Sequence, residues 1–393
     1  MAVLSVCDFA LWAGKFIILK FDRLGDNYLV ASEGMDKLIR PELVTLGGYA
    51  SHRSPDTLEG VVEVPVDKVI KLDANENPYG CSPRVRQALA EYSYWQIYPD
   101  AKQTRLRQQL QEYAGVDASC IVAANGSGEL LDDILCLFLE PGDEVINCIP
   151  TFDMYRMRTL INKGKLVNIP RNEDFSVNVS AVKAAVTPKT KIIILANPNN
   201  PTGTVTSRVD ILELVATGIP LLVDEAYYEF CGETVAPLIS QYKNLMVLRT
   251  FSKWTGLAGL RIGYSISPPE VASYLMKIKL PYNVNVAALV AVRESLNDID
   301  YLMGKVKAII TERERLFEEL KKLKWLKPFP SQANFILCSV LNGRAKELWQ
   351  KLQRKGILVR YFDQPILQDC IRISVGKPED TDALIKALQE IVY

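Results

Sequence analysis

The sequence predicts an α/β protein: a mostly parallel sheet with helices on both faces, followed by a smaller α+β domain. Three observations predict it. Between residues 119 and 266, short runs rich in Val, Ile and Leu recur, bounded by Gly, Pro, Asn or Asp. Amphipathic stretches separate them, as crossover helices separate buried parallel strands. Beyond residue 300 the pattern changes to one long helical periodicity, two strand-like runs and a closing helix.

The elements follow in chain order. Residues 1–34 form an extension of unknown role, and Met35 stands as an alternative start. Residues 35–80 mix Pro, Gly and charge without periodicity and read as an extended arm. Ser82-Pro83 supplies an N-cap and a first-turn proline for a helix over Val85–Tyr92. This opens a large domain over 81–290, whose strand candidates are Cys120–Ala124, Glu144–Ile149, Lys191–Ala196, Pro220–Val223, Leu245–Leu248 and Ile262–Ile266. The small domain, 291–393, opens with a helix over 300–323, with apolar positions at Leu302, Val306, Ile309, Ile310, Leu316, Phe317 and Leu320. Strand-like runs Asn334–Leu337 and Ile371–Val375 and a helix over Asp380–Ile391 complete it.

Composition narrows the function classes. The 46 basic and 46 acidic residues cancel, so nothing electrostatic points to nucleic acid or a membrane surface. No stretch is long and apolar enough to span a bilayer. The eight cysteines share no C-x-x-C spacing, which favours neither a metal site nor a redox motif; they read as core filler in a reducing compartment. The single histidine, His52, lies in a polar, loop-like stretch, so proton transfer in an enzyme of this sequence falls to another residue type.

Four runs carry candidate chemistry, each at a predicted strand end. Asn125-Gly126-Ser127-Gly128-Glu129-Leu130 leads from a strand into an apolar helix, offering free amides and a positive dipole end to a phosphate. Its spacing is not that of a dinucleotide-binding fingerprint. Ala196-Asn197-Pro198-Asn199-Asn200-Pro201-Thr202-Gly203 is a rigid turn that places amides where α/β sheets bind ligands. Val223-Asp224-Glu225-Ala226-Tyr227 sets an aspartate where it can pair with a cation. The run from Arg249 to Arg261 holds Ser252 and Lys253 in a small-residue, Gly-rich loop. Taken singly, these also read as a strand–helix turn, a plain turn, a helix N-cap and a solvated basic loop.

Together and in this order they resemble the fold-type-I pyridoxal-phosphate aminotransferases, with Lys253 and Arg261 eight apart as that family requires. The resemblance implies pyridoxal 5'-phosphate as cofactor and Lys253 as the amine that forms its Schiff base and moves the proton. Ser127, Gly128, Glu129, Ser252 and Arg261 would cradle the phosphate, and Asp224 would pair with the ring nitrogen. Asn200 and Tyr227 would bond the ring's phenolic oxygen, and Phe152 would stack on its face. Tyr98 would reach the cofactor phosphate of a second subunit, which implies a homodimer.

Further runs resemble the histidinol-phosphate aminotransferase family: Lys71–Gly80, Tyr98-Pro99-Asp100, Pro330–Phe335, Gly356–Arg360 and Ile371–Gly376. The resemblance covers residues 39–393. It implies exchange between L-histidinol phosphate and 2-oxoglutarate in histidine biosynthesis, in the cytosol or, for a plant source, a plastid. Arg360 and Arg372, helped by Tyr49 and Asn75, would hold a phosphate in one half-reaction and a carboxylate in the other. The chain departs from the pattern at Gly128, where many relatives are acidic, at Phe152, which lacks a tyrosine's hydroxyl, and at the bulky Trp254. A threonine-phosphate decarboxylase or aromatic aminotransferase of the same fold is the alternative, and a non-enzymatic cofactor-binding regulator a more distant one.

Overall fold

The computed structural model describes residues 36–48, 57 and 62–391. Contacts divide the chain into two units, Met1–Thr45 and Leu46–Tyr393. In the first, the described residues form a short 3-10 turn, Asp36–Leu38, and one helical turn, Pro41–Val44. Tyr49 and His52 lie outside the described residues.

The second unit holds two sheets. The larger contains β2 (Ile121–Ala124), β3 (Glu144–Ile149), β4 (Lys165–Pro170), β5 (Thr190–Ala196), β6 (Leu221–Asp224), β7 (Leu245–Thr250) and β8 (Gly263–Ile266), in the order β2-β8-β7-β6-β5-β3-β4. Its pairings are parallel except those of β8, which runs antiparallel to both β2 and β7. All six expected runs are strands within two residues of their expected ends. The seventh, β4, escaped the reading because its residues are only partly buried, alternating with exposed ones at the sheet edge.

Alternation explains why the central strands read as continuous apolar runs. Ile193, Leu195, Leu221, Val223, Leu245 and Val247 join one core; Ile192, Ile194, Leu222, Met246 and Leu248, their neighbours along the strands, join another on the opposite face. The first core takes Ile211 and Leu214 of the helix Arg208–Val215 and Ala288 and Ala291 of Val286–Leu296. The second takes Leu130, Ile134 and Leu135 of Ser127–Phe138 and Leu275 of Pro269–Ile278. Helices therefore cover both faces, and each fully buried Leu or Ile contributes about 2 kcal/mol of transfer free energy before entropy is counted.

The smaller sheet has the order β1-β11-β12-β10-β9, built from β1 (Ile70–Leu72), β9 (Leu326–Pro328), β10 (Phe335–Val340), β11 (Ile357–Tyr361) and β12 (Cys370–Ser374). The end of the presumed arm is thus not free: Ile70–Leu72 pairs in parallel with Ile357–Val359. The helix Ile299–Lys321 links the two halves. Leu302, Val306 and Ile309 enter the core of the larger sheet, and Leu316 and Leu320 that of the smaller one, all on one helical face. No described helix is long and apolar enough to cross a membrane.

Candidate active site

A cavity of about 390 Å³ lies at the carboxyl ends of β5, β6 and β7. It is lined by Asn75, Ser127, Gly128, Phe152, Asn200, Asp224, Tyr227, Ser252, Lys253, Arg261 and Arg372, together with Ala74, Glu76, Tyr155 and a few smaller contacts. Eleven of the expected site residues thus meet in one place, although they span nearly 300 positions of sequence.

One end is built for an anion. The helix Ser127–Phe138 starts here, and its first-turn residues Ser127 and Gly128 face the space. Arg261, held at φ 51°, donates to Ser252 Oγ at 3.3 Å. Gly126 must be glycine: its φ is +89°, and a Cβ there would sit 2.5 Å from the Arg261 guanidinium. The Lys253 loop is equally tight, since a Cβ on Gly256 (φ +71°) would meet the Gly80 carbonyl carbon at 2.4 Å.

The lining also holds a carboxylate. Asp224 terminates β6, is buried, and accepts from Tyr155 Oη at 2.7 Å and from the Ala226 amide at 3.1 Å. Burial raises its pKa above the ordinary carboxylate value, while the Tyr155 hydroxyl and Ala226 amide draw it back. A partner cation would favour the charged form further. The next residue, Glu225, is fixed by Arg249 at 3.0 Å, Thr234 Oγ1 at 2.7 Å and the Val235 amide at 2.7 Å, which anchors the strand end.

In the same lining, Lys253 Nζ donates to the Ala74 carbonyl at 3.1 Å. Burial, then the nearby Arg372, push its pKa from 10.5 down to about 8. The neutral, nucleophilic amine therefore appears as pH rises through about 8. In the cofactor-free chain, the rate of aldehyde capture by Lys253 should rise with a midpoint there; a midpoint near 10.5 would show that the ammonium is not desolvated. At pH 8 the shift amounts to roughly a hundredfold more neutral amine. Trp254 is a packing residue, buried and stacked on Tyr113 at 5.3 Å, with its carbonyl accepting from Asn77 Nδ2 at 2.7 Å.

Residues from the smaller sheet close the cavity. Arg372 of β12 is buried and donates from Nη1 to Asn200 Oδ1 and from Nη2 to the Asp73 carbonyl, both at 2.6 Å. Asn75, at φ 53°, donates from Nδ2 to Tyr227 Oη at 2.9 Å. Its own amide donates to Ser374 Oγ at 2.8 Å, and its carbonyl accepts from Asn334 Nδ2 at 3.0 Å. The Tyr227 ring stands edge-on to Phe335 at 5.1 Å, and Phe152 edge-on to Tyr155 at 5.6 Å.

Three described residues fall elsewhere. Glu129 does not line the cavity; its carboxylate accepts from the Asn125 amide and from Asn283 Nδ2, so its side chain is no phosphate donor. Arg360 is also off the lining, but it lies directly opposite Arg372 across β11 and β12, on the same sheet face. Tyr98 is 78% exposed and stacks on Tyr282 at 4.6 Å. Conversely, Tyr155, Ser374 and Asn334 serve the site without having been named for it; Asn334 and Ser374 lay inside the runs Pro330–Phe335 and Ile371–Gly376, and Tyr155 three residues past Phe152.

The lining fits an aromatic, cationic ring that carries a phosphate. Glycines and a helix N-terminus leave room for an anion, and a buried carboxylate, aromatic rings and an amine of lowered pKa line the same space. Comparison with known proteins agrees. The model of the aminotransferase class I and II family matches residues 67–388. A histidinol-phosphate aminotransferase from Dehalococcoides mccartyi is 52% identical over 91% of this chain and 98% of its own. A chloroplastic histidinol-phosphate aminotransferase from Arabidopsis thaliana is 41% identical over 90% of this chain and 86% of its own. The crystal structure of histidinol-phosphate aminotransferase from Sinorhizobium meliloti in complex with pyridoxal-5'-phosphate superposes with a TM-score of 0.81 at 28% identity, covering 90% of this chain and 96% of that one. The chain belongs to the class I and II aminotransferases, enzymes of the fold-type-I class that work with pyridoxal 5'-phosphate.

Proposed function

We propose that the chain interconverts L-histidinol phosphate and 2-oxoglutarate with imidazole-acetol phosphate and L-glutamate, as a step of histidine biosynthesis. The observation that carries this reading is the pair of cationic groups that line one cavity from different elements: Arg261, bonded to Ser252 in the Lys253 loop, and Arg372 on β12. One suits the cofactor's phosphate, the other a substrate anion.

Pyridoxal phosphate supplies, when bound, an aldehyde that captures amines and a ring that withdraws electrons from the substrate carbon. The chain's residues do the rest. Ser127, Gly128, Ser252 and Arg261 would hold the phosphate, with Glu129 adding no more than its backbone amide. Asp224 would pair with the protonated ring nitrogen, and Tyr155 orients that carboxylate. Asn200 and Tyr227 would bond the phenolic oxygen, and Phe152 would cover the ring face. Lys253 Nζ would serve as the nucleophilic amine and as the base for the proton on the substrate carbon. Arg372 offers its fork to carboxylate or phosphate ester, with Arg360 beside it, Asn75 positioning Tyr227 and Tyr49 contributing from the N-terminal segment.

We further propose a cytosolic homodimer. Tyr94, Trp95, Ile97, Tyr98, Leu280 and Tyr282 are exposed, an apolar surface suited to a second copy. On that surface Tyr98 would extend toward the partner's cofactor phosphate. The described cysteines are all free, in keeping with a reducing compartment.

The visible absorption spectrum tests the assignment. A cofactor band that is lost on adding L-histidinol phosphate and restored by 2-oxoglutarate is expected. A band indifferent to that amine would move the substrate to threonine phosphate or an aromatic amino acid. The absence of any band after addition of pyridoxal phosphate would refute the role of Lys253.

A further inference from the structure

Glu129 poses an electrostatic question. It lies in the first turn of the helix whose N-terminus faces the anion end of the cavity, where a second negative charge would oppose a bound phosphate. Its carboxylate is nevertheless engaged. Oε2 accepts from the Asn125 amide at 2.5 Å, the residue that opens the phosphate turn. Oε1 accepts from Asn283 Nδ2 at 3.2 Å.

The network continues outward. Asn283 Oδ1 accepts from Gln103 Nε2 at 3.1 Å and from Lys279 Nζ at 3.5 Å. Gln103 is buried at φ 57°, and its carboxamide both donates to the Ala123 carbonyl at 2.7 Å and accepts from the Ala123 amide at 2.9 Å. β2 ends the larger sheet, so Ala123 presents these two groups to an edge with no further strand. Gln103 takes the place of that strand, closing the ladder next to the Asn125 turn. Two loops are held to the turn in this way: Tyr98–Gln103, and Lys279–Asn283, whose Tyr282 stacks on Tyr98.

We infer that Glu129 is a positioning residue for the cofactor's phosphate, which, with Asn283 and Gln103, fixes the Asn125–Gly128 turn and the Tyr98–Tyr282 stack as one unit. The inference rests on the reading that places the phosphate at Ser127, Gly128, Ser252 and Arg261. The Glu129 side chain acts without touching the ligand: by immobilising the Asn125 amide it sets the direction of the first-turn amides, and its charge is directed at that amide and at Asn283, near the Lys279 ammonium.

The sign of one substitution separates this role from simple repulsion. The full-length chain, stripped of cofactor, is titrated with pyridoxal phosphate and with pyridoxal, which lacks the phosphate. Glu129→Ala should weaken pyridoxal phosphate by roughly tenfold, the equivalent of one charged hydrogen bond, and leave pyridoxal unchanged. Glu129→Gln, whose amide oxygen still accepts from Asn125, should restore most of the loss. Tighter or unaltered binding of pyridoxal phosphate to Glu129→Ala would overturn the inference, as would an equal loss for both aldehydes. Should Glu129→Ala not fold, Asn283→Ala carries the test, with a smaller loss of the same selectivity expected and no selectivity overturning it. A wild-type chain that binds both aldehydes equally would instead remove the phosphate cradle itself, and this inference with it.

Discussion

Lys253→Ala is expected to abolish transamination, lowering turnover by roughly a thousandfold or more, because one side chain acts as both nucleophile and base. No other described amine lines the cavity, and the single histidine lies outside the described residues. The substitution should be tolerated by the fold. Lys253 Nζ makes one hydrogen bond, to the Ala74 carbonyl, and its burial disfavours the charge that is removed. Single-turnover kinetics with L-histidinol phosphate, on a variant whose circular dichroism matches the parent, checks this. Normal turnover would refute the assigned chemistry.

Arg372→Ala should raise KM for glutamate and for the phosphate ester together, by roughly ten- to a hundredfold, the range of a charge-assisted hydrogen bond. The guanidinium spans two acceptors on different segments, Asn200 Oδ1 and the Asp73 carbonyl, and its side chain lines the cavity. Lysine at this position should therefore not rescue, since an ammonium cannot reproduce the fork. Steady-state kinetics with each amine in turn decides the matter. Loss with only one of them would mean that carboxylate and phosphate are held at different places.

The parts of the site legible in the sequence are those written locally. Asp224, Asn200, Ser252 and Lys253 each follow a buried strand whose apolar run marks where it ends, so position and chemistry can be read together. The Gly126–Gly128 turn is legible for the same reason. What could not be read is written across distance. Tyr155 reaches Asp224 from another element, and Ser374 fixes Asn75 from the far end of the chain. Glu129 shows the limit within a motif: the resemblance offered it as a phosphate donor, but the nearby Asn125 amide and Asn283, remote in sequence, claim the carboxylate. Among the elements, β4 was hidden by half-exposure and β1 by shortness. The helix Ala345–Arg354 lay in a stretch where charged residues outnumber the buried Ala345, Leu348 and Leu352.

The bonds of Asn75 and Arg372 across 299 positions bear on when activity can arise as the chain is made. Closing a loop of that length costs on the order of 5 kcal/mol of chain entropy before any contact repays it, and such contacts form late. A nascent chain that has not yet released β12 already carries Ser127, Asp224, Lys253 and Arg261 but lacks Val375, which joins the core of the larger sheet. It still lacks the guanidinium that would retain a substrate anion. Substrate recognition must therefore wait for β12.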